Sequence, residues 1–167
     1  MRDSKKNWFL LLGLVGLLLS LFIACGQPGY TTYTNEEFGY TISYPYSWKV
    51  EVSADRTKCF LASPARKASV MIDVADAMST RVAVNYLLMS ISQGALGKEV
   101  TLIEDKPAEG PWDWYISYDY DTGFGMFHGE ACFKVTETHL YKLDTAANVE
   151  EYKDYPFSTI ISSFKLQ

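Results

Sequence analysis

Between Tyr40 and Tyr44 the side chains alternate, with Tyr40, Ile42 and Tyr44 set against Thr41 and Ser43. A period of two predicts a strand. Asn35–Gly39 supplies turn residues before it, and Pro45, which has no backbone donor, ends the pairing after it. Trp48 and Val50 open a second strand in "WKVEV", with Lys49 and Glu51 on the opposite side. Cys59–Ala62 and Ser69–Val74 are two further β-rich runs. The period then changes. Val84, Leu87, Leu88, Ile91 and Ala95 recur at helical spacing, Ser79 or Thr80 can cap the helix, and Gly94 and Gly97 mark its end. Val100–Glu104, Trp112–Tyr120, Phe124–Val135 and Glu137–Leu143 return to strand character, with "DTG" (Asp121–Gly123) as a tight turn. Phe157, Ile160, Ile161 and Phe164 give a last helix one apolar face, with Pro156 in its first turn and Asp154 as a candidate cap. Consecutive strands with few helices between them predict a mostly antiparallel sheet with helices packed against it.

The first segment follows different rules. Arg2, Lys5 and Lys6 precede Trp8–Ala24, a run without any charge. Its length falls between a signal-peptide core of ~7–15 residues and a spanning helix of ~17–25. "LFIAC" (Leu21–Cys25) resembles a bacterial lipobox, with the preferred leucine at Leu21 and Phe22 in its usual place. The resemblance implies that residues 1–24 are a lipoprotein signal peptide and that Cys25 is the lipidated first residue of the mature chain. An uncleaved transmembrane anchor is the alternative. Two acyl chains suffice for stable anchoring, since each buried CH₂ contributes ~0.8 kcal/mol. Residues 25–32 read as a short polar tether marked by Gly and Pro, leaving 33–167 as one domain large enough to bury a core.

Charge narrows the partners. The chain carries −5, and because residues 1–24 hold three basic residues and one acidic, the rest carries −7. Such a domain does not bind nucleic acid or anionic lipid through bulk charge. Outside the cytoplasm, Cys59 and Cys132 are candidates for one disulfide, a pairing that sequence leaves open.

"EFGYTISYPYSWKV" resembles the entry motif of PsbP-like domains, through Gly39, Tyr40, Ile42, Tyr44, Pro45, Trp48 and Val50. The closing "IISSFKL" is similar to the family's terminal helix, through Ile160, Ile161, Ser163 and Phe164. The resemblance implies an α+β fold, an α/β/α sandwich whose central, mostly antiparallel sheet is flanked by helices. Neither motif carries chemistry. The family's photosynthetic members assist the water-oxidising complex, a role that two structural motifs do not transfer.

Candidate chemistry is sparse. There is no Gly-x-Ser-x-Gly elbow and no phosphate loop, and His128 and His139 are the only histidines. His128 and Cys132 lie ~13 Å apart along a strand, too far for direct activation. The cysteines and histidines lack the short spacing of a zinc site. "DYDTGFGMFHGE" (Asp119–Glu130) places acids as a calcium loop does, but Gly123 offers no side-chain oxygen and Phe124 stands where the turn glycine belongs. No metal and no cofactor are expected. In "WDWYISYDY", alternation puts Trp112, Trp114, Tyr118 and Tyr120 on one side, either as a platform for a ligand or partner or as the seat of the helix near Thr80–Leu96. These readings converge on a non-enzymatic, PsbP-like binding or assembly module. It would be lipid-anchored at the bacterial cell membrane, face outside the cytoplasm and engage another envelope protein. A small-ligand or cation receptor and an envelope enzyme are the competing classes.

Overall fold

Thr41 and Ser43 point away from the core and Tyr40 and Ile42 point into it, as their alternation requires. The computed structural model describes residues 29–94 and 100–167. In order these are β1 (Tyr30–Asn35), β2 (Tyr40–Pro45), β3 (Lys49–Val52), β4 (Lys58–Ala62), β5 (Ala68–Asp76), α1 (Thr80–Gly94), β6 (Val100–Pro107), β7 (Trp114–Asp121), β8 (Met126–Val135) and β9 (His139–Asn148). A 3₁₀ turn (Tyr152–Asp154), α2 (Phe157–Ser162) and β10 (Lys165–Leu166) complete the domain. The signal segment and Cys25 lie outside the described residues. The tether reading is corrected at its end, because β1 begins at Tyr30 and takes in Thr31 and Thr32. In "YTTYT" the two rings, Tyr30 and Tyr33, stand three residues apart and so off the period of two, and the segment has little strand signal of its own.

The described strands form two sheets. The larger runs β3-β4-β5-β9-β8-β7-β6, antiparallel at every pairing. The smaller runs β1-β2-β10, in which Lys165 and Leu166 pair with Thr41 and Tyr40. The large sheet buries both faces. On one, Ala83, Val84 and Leu87 of α1 pack with Ile116, Tyr118, Ala131 and Phe133 of β7 and β8. On the other, Tyr40, Ile42 and Tyr44 of β2 pack with Phe157 and Ile160 of α2 against Val70, Ile72 and Leu143. The mostly antiparallel sheet is as expected, but the flanks differ from helices on both sides. A helix covers one face; the small sheet with the six-residue α2 covers the other.

The aromatic entry segment belongs to this second face. Trp48 meets Tyr155 and Phe157 edge-on, and Tyr40 stacks on Phe164 at 5.7 Å. Only Tyr46 stands clear, 74% exposed. Ser79 begins α1, its backbone carbonyl accepting from the Ala83 N–H. Asp154 does not cap α2; it lies in the 3₁₀ turn, and Pro156 holds the cap position without a side-chain bond.

Candidate functional site

The β7–β8 hairpin creates a cluster that spacing along the chain hides. Its loop, 122–125, closes with the Thr122 N–H donating to Gly125 O, and Gly123 adopts φ 83°. The strands therefore fold about this loop and set Asp119 directly opposite His128. His128 Nδ1 lies 2.6 Å from Asp119 Oδ1, and His128 Nε2 lies 3.9 Å from Glu130 Oε1. All three side chains are largely buried but not sealed.

The 3₁₀ turn and α2 form the facing wall. The Tyr152 ring meets His128 edge-on at 4.4 Å and packs at a tilt on Phe157 at 4.6 Å. Thr145 Oγ donates to Glu130 O, which leaves it to accept from the Tyr152 hydroxyl at 2.6 Å. The wall is braced from outside, where Lys67 pairs with Glu151 at 2.8 Å and Glu151 accepts from the Tyr155 hydroxyl. That bond to Lys67 holds the Glu151 carboxyl below its ordinary range. Between the walls lies a cleft of about 420 Å³, with Lys153, Val149 and Ser158 also lining it.

Electrostatics keep the phenols neutral. Burial, then the nearby charge of Glu130, pushes both Tyr115 and Tyr152 well above the usual tyrosine value. No hydrogen bond joins His128 to Ser158 among the described residues, so the histidine has a base's geometry without an adjacent nucleophile. Among the described residues no three His, Cys, Asp or Glu side chains converge to hold a metal ion. A second depression, about 280 Å³, lies beside α1 between Asp73, Tyr86 and Lys142.

The residues singled out from sequence fall elsewhere. Trp114, Tyr118 and Tyr120 sit with the cluster beneath α1, so the platform is the seat of the helix. Trp112 does not share that face. It precedes the strand, stacks on Phe164 at 4.3 Å in the opposite core, and donates from Nε1 to Ile161 O. The candidate disulfide pair is not brought together either. Cys59 and Cys132 are free and buried. In register Cys59 pairs with Ile72, Ile72 with Leu143, and Leu143 with Cys132. Three strand spacings separate the cysteines by ~14 Å, whereas a bridge needs Cα atoms within ~4.4–6.8 Å. His139 bonds its neighbour Thr138 and meets Phe38 edge-on, far from the cleft in register. The cluster of Asp119, His128, Glu130 and Tyr152 is what sequence reading missed. The available signal was the turn at Gly123, about which residues 119 and 128 are nearly equidistant.

No protein-family model matches the sequence, and no curated protein matches it. Solved structures do match in shape. The cyanobacterial PsbP (CyanoP) of Synechocystis superposes with a TM-score of 0.63 at 16% identity, covering 86% of this chain and 96% of that one. LpqN of Mycobacterium tuberculosis, a protein involved in cell envelope biogenesis, gives 0.56 at 9% identity over 83% and 90%. A protein of Bacteroides thetaiotaomicron gives 0.54 at 10% identity, with 81% of this chain matching 48% of that one. At these identities the likeness is one of fold. Superposition over most of both chains carries that likeness: the chain has the PsbP-like fold.

Proposed function

We propose that this chain is a lipid-anchored, non-enzymatic binding module working outside the cytoplasm, held at the bacterial membrane by a diacylglyceryl group on Cys25. The observation that carries the binding reading is the cleft between β7–β8 and the 3₁₀ turn, walled by aromatic rings and floored by polar groups. Its recognition mode is a pocket and not a flat patch, because α1 covers the aromatic side of β7. A protruding group of an envelope protein would enter it. The volume, within the ~300–1,000 Å³ of ligand sites, equally favours the second reading, a small-ligand receptor. The envelope location rests on the lipobox-like "LFIAC", and the fold shared with LpqN is consistent with it.

Two measurements test the proposal. Cys25→Ala abolishes incorporation of labelled fatty acid and leaves the signal segment attached; a variant still labelled and matured to the same mass disproves the anchor. A photo-crosslinker at Ser158, beside the cleft, captures a partner or ligand in intact membranes, while one at Asn85 on the exposed side of α1 does not. Equal yields at the two positions remove the cleft from the reading.

A further inference from the structure

Phe124 and Tyr46 are the most exposed large hydrophobic side chains among the described residues, at 95% and 74%. Phe124 is the tip of the β7–β8 hairpin, between Gly123 and Gly125, and Tyr46 lies in the turn that joins β2 to β3. Register puts both at one end of the large sheet. Met126 opens β8, His128 pairs with Ala147, Ala147 with Ala68, Ser69 with Ala62, and Ala62 with Lys49, which follows the Tyr46 turn. Four strand spacings separate the two loops, ~19 Å. Met126 and Val149 are also exposed and flank Phe124, the Val149 N–H donating to Met126 O. Scattered singly, such side chains need no account, but four at one end mark an interaction surface. The opposite end, at the turns 36–39, 53–57, 108–113 and 136–138, presents Glu36, Asp55, Glu109 and Glu137 instead.

The chain that leads to Cys25 departs from the apolar end. Strands β1 and β2 are neighbours joined through residues 36–39, and Thr32 Oγ meets Ser43 Oγ at 3.0 Å. The start of β1 therefore lies beside Pro45, one residue from Tyr46. Seven residues carry the chain from Thr32 back to Cys25, a reach of at most ~25 Å.

We infer that Phe124 and Tyr46, with Met126 and Val149 beside Phe124, seat this end of the domain in the lipid interface of the membrane that holds Cys25. This goes beyond the binding reading and rests on its anchor. The boundary suits these rings, since each buries apolar area there while the Tyr46 hydroxyl stays among the headgroups. Arg66 and Lys67, on the neighbouring β4–β5 turn, pair with Glu51 and Glu151 and so offset part of the acidic charge at this end. An anionic bilayer repels the opposite, acidic end and turns it outward.

The test places the lipoprotein in phosphatidylcholine nanodiscs that contain a lipid with a nitroxide on its acyl chain, and follows the backbone amides by NMR. The amide signals of Phe124 and Tyr46 are lost to paramagnetic broadening, while those of Asp55 and Glu137 persist. The double variant Phe124→Ser, Tyr46→Ser recovers the lost signals and still co-elutes with the discs through its lipid. Equal broadening at the two ends overturns the inference. So does broadening at positions 46 and 124 that the double variant leaves unchanged, because the tether alone then orients the domain. Protein that co-elutes with the discs but shows no broadening at either loop sinks the seating and spares the anchor. Protein that elutes apart from the discs sinks the anchor at Cys25 and the seating with it.

Discussion

Gly129 has no side chain because the ring of Tyr118 occupies the space a Cβ would need: one built there would lie 2.6 Å from Tyr118 Cζ. The ring crosses β8 at this point so that its hydroxyl can donate to Asp144 on β9, 2.5 Å away. Gly129→Ala must displace the ring and break that bond, costing about 2–4 kcal/mol of stability, as urea unfolding would show. An unchanged midpoint would mean the ring moves freely. Asp144 itself works against the fold at neutral pH. Burial pushes its carboxyl up to about 6, although the Tyr118 bond and the charge of Lys142 pull the other way. Below ~4 the group is protonated in both states and costs nothing. Between ~4 and about 6 only the unfolded chain ionises, so stability falls as pH rises. Above that range the penalty is constant, at about 2–3 kcal/mol. Asp144→Asn therefore gains on the wild type as pH is raised through this window, and the gain levels off beyond it. A difference independent of pH would rule out the raised carboxyl.

Elements with a strong period are legible in sequence, and those that exist only through a partner are not. Helix α1 is marked by Val84, Leu87 and Leu88, which meet the sheet as their spacing requires. Its two sides make separate predictions. Leu87→Ala empties a site packed against the sheet and costs about 2–5 kcal/mol, whereas Met89→Ala, at a position 48% exposed, changes stability by less than ~0.5 kcal/mol. Thermal melts of the two variants compare them directly, and equal shifts would contradict the orientation of the helix. By contrast, β10 has two residues and is a strand only because β2 lies beside it. Trp112 defeats alternation because the chain bends before β7, with the Asp113 N–H donating to Phe133 O. The cleft is hidden for a similar reason: His128 and Tyr152 lie 24 positions apart in different elements, joined by sheet register and a 3₁₀ turn that no periodicity announces.

At the scale of the whole domain, the sheet joins its two cores with no disulfide among the described residues. Burial pushes the thiols of Cys59 and Cys132 up to about 12, so neither is a thiolate at neutral pH. Alkylation without reductant should leave both unmodified in the native protein and modify both once it is unfolded in guanidinium, as read by mass spectrometry. A mass two hydrogens lower, with no uptake, would restore the disulfide. The small sheet sets one further condition. Strand β10 lies against β2, and the Gln167 N–H donates to Gly39 O, so two segments far apart in sequence close one small sheet. Phe164, which stacks against both Tyr40 and Trp112, belongs to the same closure. A chain cut before Phe164 therefore keeps the core face beneath the small sheet open to water, however well the larger sheet pairs.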